Sequence, residues 1–355
     1  LEPLTIENAR VFDGAGLTPP RPVHIDRGRI VADPVRGART IDAGAGALLP
    51  GLIDTHLHVQ ARAALESCGH WGVTTALDMA TPRPRETLSL RHRDGLTDLF
   101  SAGYPAVAPG SGPITAMGYP DHIAVPGPEA AEAFVASRAR DGVDYLKILV
   151  EPAGPAGMSA FTPETVTALV RSAHSHGLKA IAHATSAAAY QMAVEAGTDV
   201  VTHVPLEAVI SADLARRVLV TSPTLVMMRG IQTAVGSRLP LDYENARLSV
   251  RRLHEAGATV LAGTDANGDP SAPFSPPYGE AMHQELRLLV DAGLSPVEAL
   301  RAATVRPAEV FGLADRGVIA VGRRADFLLT DDDPTTDIRA TTRIRHVWSG
   351  GIQLR

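Results

Sequence analysis

The hydrophobic positions of this chain change period twice. Up to about residue 49 they alternate over short stretches, as in Leu4-Thr5-Ile6-Glu7-Asn8-Ala9-Arg10-Val11 and Val23-His24-Ile25-Asp26. Alternation of this kind belongs to half-buried strands, and Arg27-Gly28 before Arg29-Ile30-Val31 predicts a hairpin. From residue 50 to about 317, short apolar runs alternate with amphipathic stretches of helical period. Strands are predicted near 52–58, 73–78, 99–107, 144–150, 179–183, 199–203, 218–227 and 259–265. Helices are predicted over 61–71, 86–93, 129–140, 162–176, 186–196, 208–217, 242–256 and 279–292, with two more at 296–303 and 307–311. Strands that alternate with helices imply a parallel sheet with crossover connections. Eight such units predict an α/β chain built on a (β/α)8 TIM barrel.

After Gly317 the pattern is β-like again, in Ala325-Asp326-Phe327-Leu328-Leu329 and Ile344-Arg345-His346-Val347-Trp348. Both termini are therefore expected to pair in one small β-sandwich domain, residues 1–49 with 318–355, beside a barrel over 50–317. Between the third strand and residue 128, glycine and proline are dense (Pro109-Gly110-Ser111-Gly112-Pro113, then Gly118-Tyr119-Pro120). A loop of that length in a compact domain more often carries function than idles.

Composition narrows the classes. The chain has 355 residues, a net charge of −6 and no basic cluster, so nucleic acid is not an expected partner. The single cysteine, Cys68, excludes an intrachain disulfide and a cysteine-only metal cluster. No run approaches the ~18 apolar residues that would span a bilayer, so no membrane is expected. Leu1-Glu2-Pro3-Leu4 does not read as a secretory signal, and a cytoplasmic location is the expectation. A homo-oligomer is compatible with all of this.

Candidate chemistry gathers at the strand ends. In Leu52-Ile53-Asp54-Thr55-His56-Leu57-His58, residues two apart on a strand share a face, so His56 and His58 can aim two imidazoles at one point. Imidazole is a ligand for divalent metals. On the predicted ordering, Lys147 lies on strand four, His183 ends strand five, His203 ends strand six and Asp265 ends strand eight. Functional side chains of such barrels sit at these carboxyl ends. Lys147 stands among Tyr145, Leu146, Ile148 and Leu149, where an unpaired ammonium would be costly to bury.

With these residues in place the chain resembles the amidohydrolase superfamily. The matching positions are His56 and His58, Lys147, His183, His203 and Gly263-Thr264-Asp265. Leu49-Pro50-Gly51-Leu52-Ile53-Asp54, Gly72-Val73-Thr74-Thr75, Ala299-Leu300-Arg301-Ala302-Ala303-Thr304 and Gly322-Arg323-Arg324-Ala325-Asp326 are similar to the imidazolonepropionase- and prolidase-like branch. The resemblance implies two divalent metal ions, zinc being expected. It implies one held by His56, His58 and Asp265, the other by His183 and His203, with Lys147 bridging them as a CO2-derived carbamate. It further implies that the metals activate a water, that Asp265 accepts its proton and passes it to the leaving group, and that the substrate is a small molecule with an amide or cyclic amide C–N bond. Thr264 and Gly263 are expected only to shape the strand end. A lactone or other ester, or a reaction such as decarboxylation, would use the same site. A non-catalytic scaffold is the alternative of another class, and the full ligand set argues against it.

Further candidates are weaker. His122 in the long loop, Arg229 after strand seven and His283 on the helix after strand eight are candidate substrate contacts. His70, His92, His174 and His176 fall on or beside helices away from the rim and read as structural. Some peptide-cleaving relatives place a tyrosine soon after the strand-six histidine. Here Val204-Pro205 follow His203, which argues against a dipeptidase.

Overall fold

The strands fall where the apolar runs lie, and the helices where the period is 3.6. The computed structural model describes residues 1–151, 160–270 and 272–355. Strands β1 (Leu4–Val11), β2 (Arg21–Asp26), β3 (Arg29–Val31), β4 (Arg39–Asp42) and β5 (Ala47–Pro50) open the chain. The middle carries β6 (Leu52–Leu57), β7 (Val73–Asp78), β8 (Asp98–Ser101), β9 (Leu146–Leu149), β10 (Ala180–His183), β11 (Val200–Thr202), β12 (Val220–Ser222) and β13 (Thr259–Val260). The end returns to β14 (Phe327–Thr330), β15 (Ile344–Ser349) and β16 (Ile352–Gln353). Helices α1 (Arg62–His70), α2 (Pro84–Leu88), α3 (Gly112–Ala116), α4 (Ala131–Arg140), α5 (Pro163–Ser175), α6 (Ala187–Glu195), α7 (Ala212–Ala215), α8 (Leu225–Val235), α9 (Tyr243–Glu255), α10 (Glu280–Asp291), α11 (Pro296–Ala302) and α12 (Val305–Val310) separate the middle strands or follow them. The fold is mixed α/β.

Among the described residues the strands form three sheets. β6-β7-β8 and β9 to β13 make two sheets paired only in parallel, as crossover helices require. Single parallel bridges join their edges, Ala106 to Ile148 at one side and Leu57 to Ala266 at the other. Ile53, Leu77, Tyr145, Ile181, Val200 and Leu261 pack together inside these strands, with Ala308 and Leu313 against them. This apolar plug leaves the opposite, carboxyl ends of the strands for chemistry. The third sheet joins both termini: β14 lies antiparallel to β5, Phe327 opposite Pro50, and β1 runs parallel to β5. Its own core is built from Leu4, Ile6, Val23, Ile25, Phe327 and Trp348 among others. The expected hairpin is β2–β3, with His24 opposite Val31.

Several expectations need correction: the helix predicted over 208–217 is only Ala212–Ala215 and the strand predicted over 259–265 only Thr259–Val260, and three differences go further. The apolar run 218–227 is not one strand. β12 ends at Ser222, Thr224 turns the backbone left-handed (φ 48°), and Leu225 starts α8, where Leu225, Val226, Met227 and Met228 are all buried. Apolar residues buried on every side carry no period to separate strand from helix. The helix predicted over 86–93 shrinks to α2, and His92 (φ 52°) then turns the chain toward Gly95 (φ 69°). The third strand stops at Ser101 because the backbone turns at Gly103 (φ 60°), and only Ala106 rejoins a neighbour. No helix of the described residues is long and apolar enough to cross a membrane.

Candidate metal centre

Two segments set the first group of candidate ligands. β6 delivers His56 and, one residue beyond its end, His58, while the segment after β13 delivers Asp265. Asp54 ties the two segments together: its carboxylate accepts the Thr264 N–H at 3.1 Å, the Thr264 hydroxyl at 2.7 Å and the His56 N–H at 3.1 Å. Gly263 permits their close approach. A Cβ there would lie 2.5 Å from Ser222 Oγ and 2.9 Å from His56 Cβ. In consequence Asp265 Oδ1 stands 3.2 Å from His58 Nε2 and 3.5 Å from His56 Nε2. One ligand atom from each of these residues falls within 4.8 Å of the others.

The second group comes from β10 and the end of β11. The His183 and His203 rings lie 4.4 Å apart, and His203 is 4.7 Å from His56. His203 Nδ1 meets Thr224 Oγ1 at 2.8 Å, and its Nε2 is buried without a partner. His183 Nε2 is 2.9 Å from Glu151 Oε1, a carboxylate that also accepts the Thr185 N–H and hydroxyl. Lys147, on β9 opposite Ile181, is 1 % exposed and donates to Thr202 Oγ1 at 3.0 Å. His56, His58, Lys147, His183 and Asp265 line one cavity of about 240 Å³. The six residues expected at the strand ends are thus brought together.

Burial and mutual charge set the protonation states. Desolvation, aided by Lys147 and the other imidazoles, holds His56 well below the ordinary histidine range, and His203 likewise. Both are neutral, which is the form that ligates. Desolvation also draws Lys147 down to about 7, against the opposing charge of Asp265. Burial would lower His58 too, but its contact with Asp265 outweighs that and raises it.

The weaker candidates do not join this cavity. His122 lines a different one with Arg83, Tyr104 and Arg138, its ring 5.7 Å from that of Tyr104. His283 is buried on α10 with Nε2 2.9 Å from the Trp71 carbonyl oxygen, and burial takes it to about 4. Arg229 rides on α8, not after a strand, and lines an adjoining cavity of about 280 Å³. The reason is the misread seventh strand, which moved Arg229 a helical turn beyond the rim. His92, His174 and His176 pair with Asp98, Asp199 and Glu132, and His70 packs on Trp71, in keeping with structural roles. The partners Thr224, Thr202 and Glu151 escaped the sequence reading because a hydroxyl or carboxylate after a strand has no distinctive spacing. Glu285 did leave a signal. It sits in the apolar stripe of α10 with Met282, Leu286 and Leu289, and its carboxylate accepts the Leu225 and Val226 N–H groups at 3.0 and 2.7 Å.

Comparison with known proteins agrees with this arrangement. The family model described as "Amidohydrolase family" matches residues 47–353. This chain belongs to the amidohydrolase family. An imidazolonepropionase from Deinococcus deserti is 32% identical over 207 residues, 55% of this chain and 46% of the relative. The chain spans about half the length of the curated relatives it matches. Among solved structures, a molinate hydrolase superposes with a TM-score of 0.83 at 21% identity, covering 99% of this chain and 94% of that one. A Xaa-Pro dipeptidase with bound methionine gives 0.81 at 22% identity, covering 99% of both chains. At such identity these two establish likeness of fold.

Amidohydrolases generally use metal ions, and the donor set here suits them. A backbone carbonyl only accepts, so His58 Nδ1, 2.8 Å from Ala80 O, carries a proton. In the neutral ring Nε2 then presents a lone pair toward the Asp265 carboxylate, and such an arrangement needs a cation or proton between them. Orienting a ligating histidine through its other ring nitrogen is the usual outer-shell device. The buried, unpartnered Nε2 of His203 points the same way, since a buried polar atom without a partner is costly.

Proposed function

We propose that this amidohydrolase is a hydrolase that cleaves an amide or cyclic amide C–N bond of a small molecule, using two divalent metal ions, most simply zinc. His56, His58 and Asp265 would hold one ion and His183 and His203 the other, with a carboxylated Lys147 between. The observation that carries the reading is the convergence of these six side chains, with His203 Nε2 buried and unpartnered, at the carboxyl ends of the parallel strands. The two bridges at the sheet edges support a single (β/α)8 barrel over 50–317. The shared terminal sheet supports a satellite β-sandwich of 1–49 with 318–355.

When bound, such ions lower the pKa of a water and polarise a carbonyl oxygen. The chain's own groups do the rest. Asp265, 14 % exposed and in contact with His58, accepts the proton of the attacking water and delivers it to the departing nitrogen. Asp54 and Gly263 hold the segment that carries Asp265 against His56. Lys147, neutral in part near pH 7, would form an N–C bond with CO2 through its neutral amine and lose one proton to give a carbamate. The side chain would then be an anion where a cation would repel the metals.

Asp265→Asn tests the proton's route. General acid–base help is worth roughly 10²–10⁴-fold, so kcat should fall by at least that much while circular dichroism stays native. A variant that keeps more than about a tenth of wild-type kcat, a barrier change of only ~1.4 kcal/mol, removes Asp265 from the mechanism.

A further inference from the structure

The cavity above the candidate metal centre is mostly apolar where it leaves the imidazoles, with Gln60, Tyr119 and Asn267 as its neutral polar residues. Pro82, Pro113, Met117, Leu149, Ile231 and Phe274 form its walls. Its carboxylates are Asp265 and Asp269, and among the described residues its basic groups are Lys147 and the three histidines already placed in the metal set. Among the described residues no arginine lines it. Residues 152–159 and 271, outside the described set, contain no lysine or arginine in the sequence either. A substrate carboxylate held away from the metals would therefore lose its water without gaining a cation, which is costly.

An arginine stands close by but behind a wall. Arg229 lines the adjoining cavity with Gly230, Thr233 and Gln284, and Phe274 lines both cavities. The Phe274 ring is seated directly on Gly230 of α8, where a Cβ would come within 2.0 Å of ring carbon Cδ1. Any side chain at residue 230 would push that ring away. The glycine is thus what allows an aromatic ring to lie between the apolar pocket and Arg229.

We infer that Phe274 is a specificity-determining wall that reserves the pocket for amides with neutral, apolar substituents and excludes those with a free carboxylate beside the scissile bond by screening Arg229. This rests on the hydrolase reading above. It differs from what the sequence suggested for Arg229, an anchor for a substrate carboxylate.

The test uses the full chain loaded with zinc and two amides that differ by one group, N-benzoyl-isoamylamine and N-benzoyl-leucine. Both kcat/KM and equilibrium binding by calorimetry are measured. The neutral amide should be favoured at least 100-fold in binding and, where turnover occurs, in kcat/KM. Phe274→Ala should open the pocket to Arg229 and improve the carboxylate-bearing amide at least 10-fold, and adding Arg229→Gln should abolish that gain. Phe274→Leu, which keeps an apolar wall, should retain the wild-type preference. Equal or tighter binding of N-benzoyl-leucine by the wild type overturns the inference, as does a ratio unchanged in Phe274→Ala. Failure to hydrolyse either amide would count against the hydrolase reading alone, because the binding ratio still decides whether the pocket rejects a carboxylate.

Discussion

His203, Thr224 and Asp265 share a backbone oddity: each is a non-glycine residue with positive φ, at 72°, 48° and 57°. Such conformations cost on the order of 1–3 kcal/mol each and persist only where surrounding structure fixes them. All three stand at strand ends in the candidate metal centre, and Thr224 fixes the ring of His203. The six candidate positions could be read from sequence because strand alternation and burial cost act on single residues, and the resemblance to the amidohydrolase superfamily implied their shared role. Their supports could not, since Thr224 and Thr202 act through hydroxyls that only the folded register brings into range. At this scale Lys147 makes the sharpest prediction. Lys147→Ala should lose one of two bound ions and most activity, and a short carboxylic acid in solution should partly restore both. Retention of both ions and full activity in Lys147→Ala would show that no carbamate bridges them.

Between β12 and α10 the packing depends on how one element is started. α8 begins at a left-handed Thr224, and the first N–H groups it exposes are accepted by the buried carboxylate of Glu285. The first N–H groups of a helix have no partner within it, so a buried acceptor there replaces water. Sequence patterning failed at this junction because Thr224-Leu225-Val226-Met227-Met228 is apolar throughout, and β-propensity and burial favoured a strand. It succeeded for β6, β7 and α5, where period and caps agree, as with Thr162 accepting the Thr165 N–H. Glu285→Ala should leave two buried N–H groups without an acceptor and lower stability by about 1–3 kcal/mol in urea unfolding. A change under about 0.5 kcal/mol, within the range of an ordinary surface substitution, would contradict this role for Glu285.

For the whole molecule, the pairing of distant segments was foreseeable from the return of β-like text at both ends, but their fastening was not. Arg316, buried at the close of the helical region, donates to Asp98 Oδ2 at 2.8 Å and to Thr75 Oγ1 at 3.0 Å, tying the chain's last third to β7 and β8. Burial pushes the Asp98 carboxyl up, yet the charge of Arg316 and its hydrogen bond outweigh that and hold it below the usual carboxylate range. A depressed folded value contributes stability that is fully present above the unfolded value near ~3.9 and is lost as pH falls through the folded value. Arg316→Ala removes the guanidinium partner of that buried carboxylate, leaving only His92 beside it, and should cost about 3–5 kcal/mol at neutral pH. The gap from wild type should narrow as the pH falls below about 4. A gap that stays constant across the acid range would mean that Arg316 acts through packing alone.

The metal content of the wild-type protein bears most directly on the central claim. Protein purified without chelator is digested and its divalent ions are counted per chain by plasma mass spectrometry. Two ions per chain, zinc foremost, is the predicted result, from the six side chains that converge at the strand ends. One ion per chain would contradict the binuclear centre, and none, with activity undiminished after exhaustive chelation, would contradict the whole account.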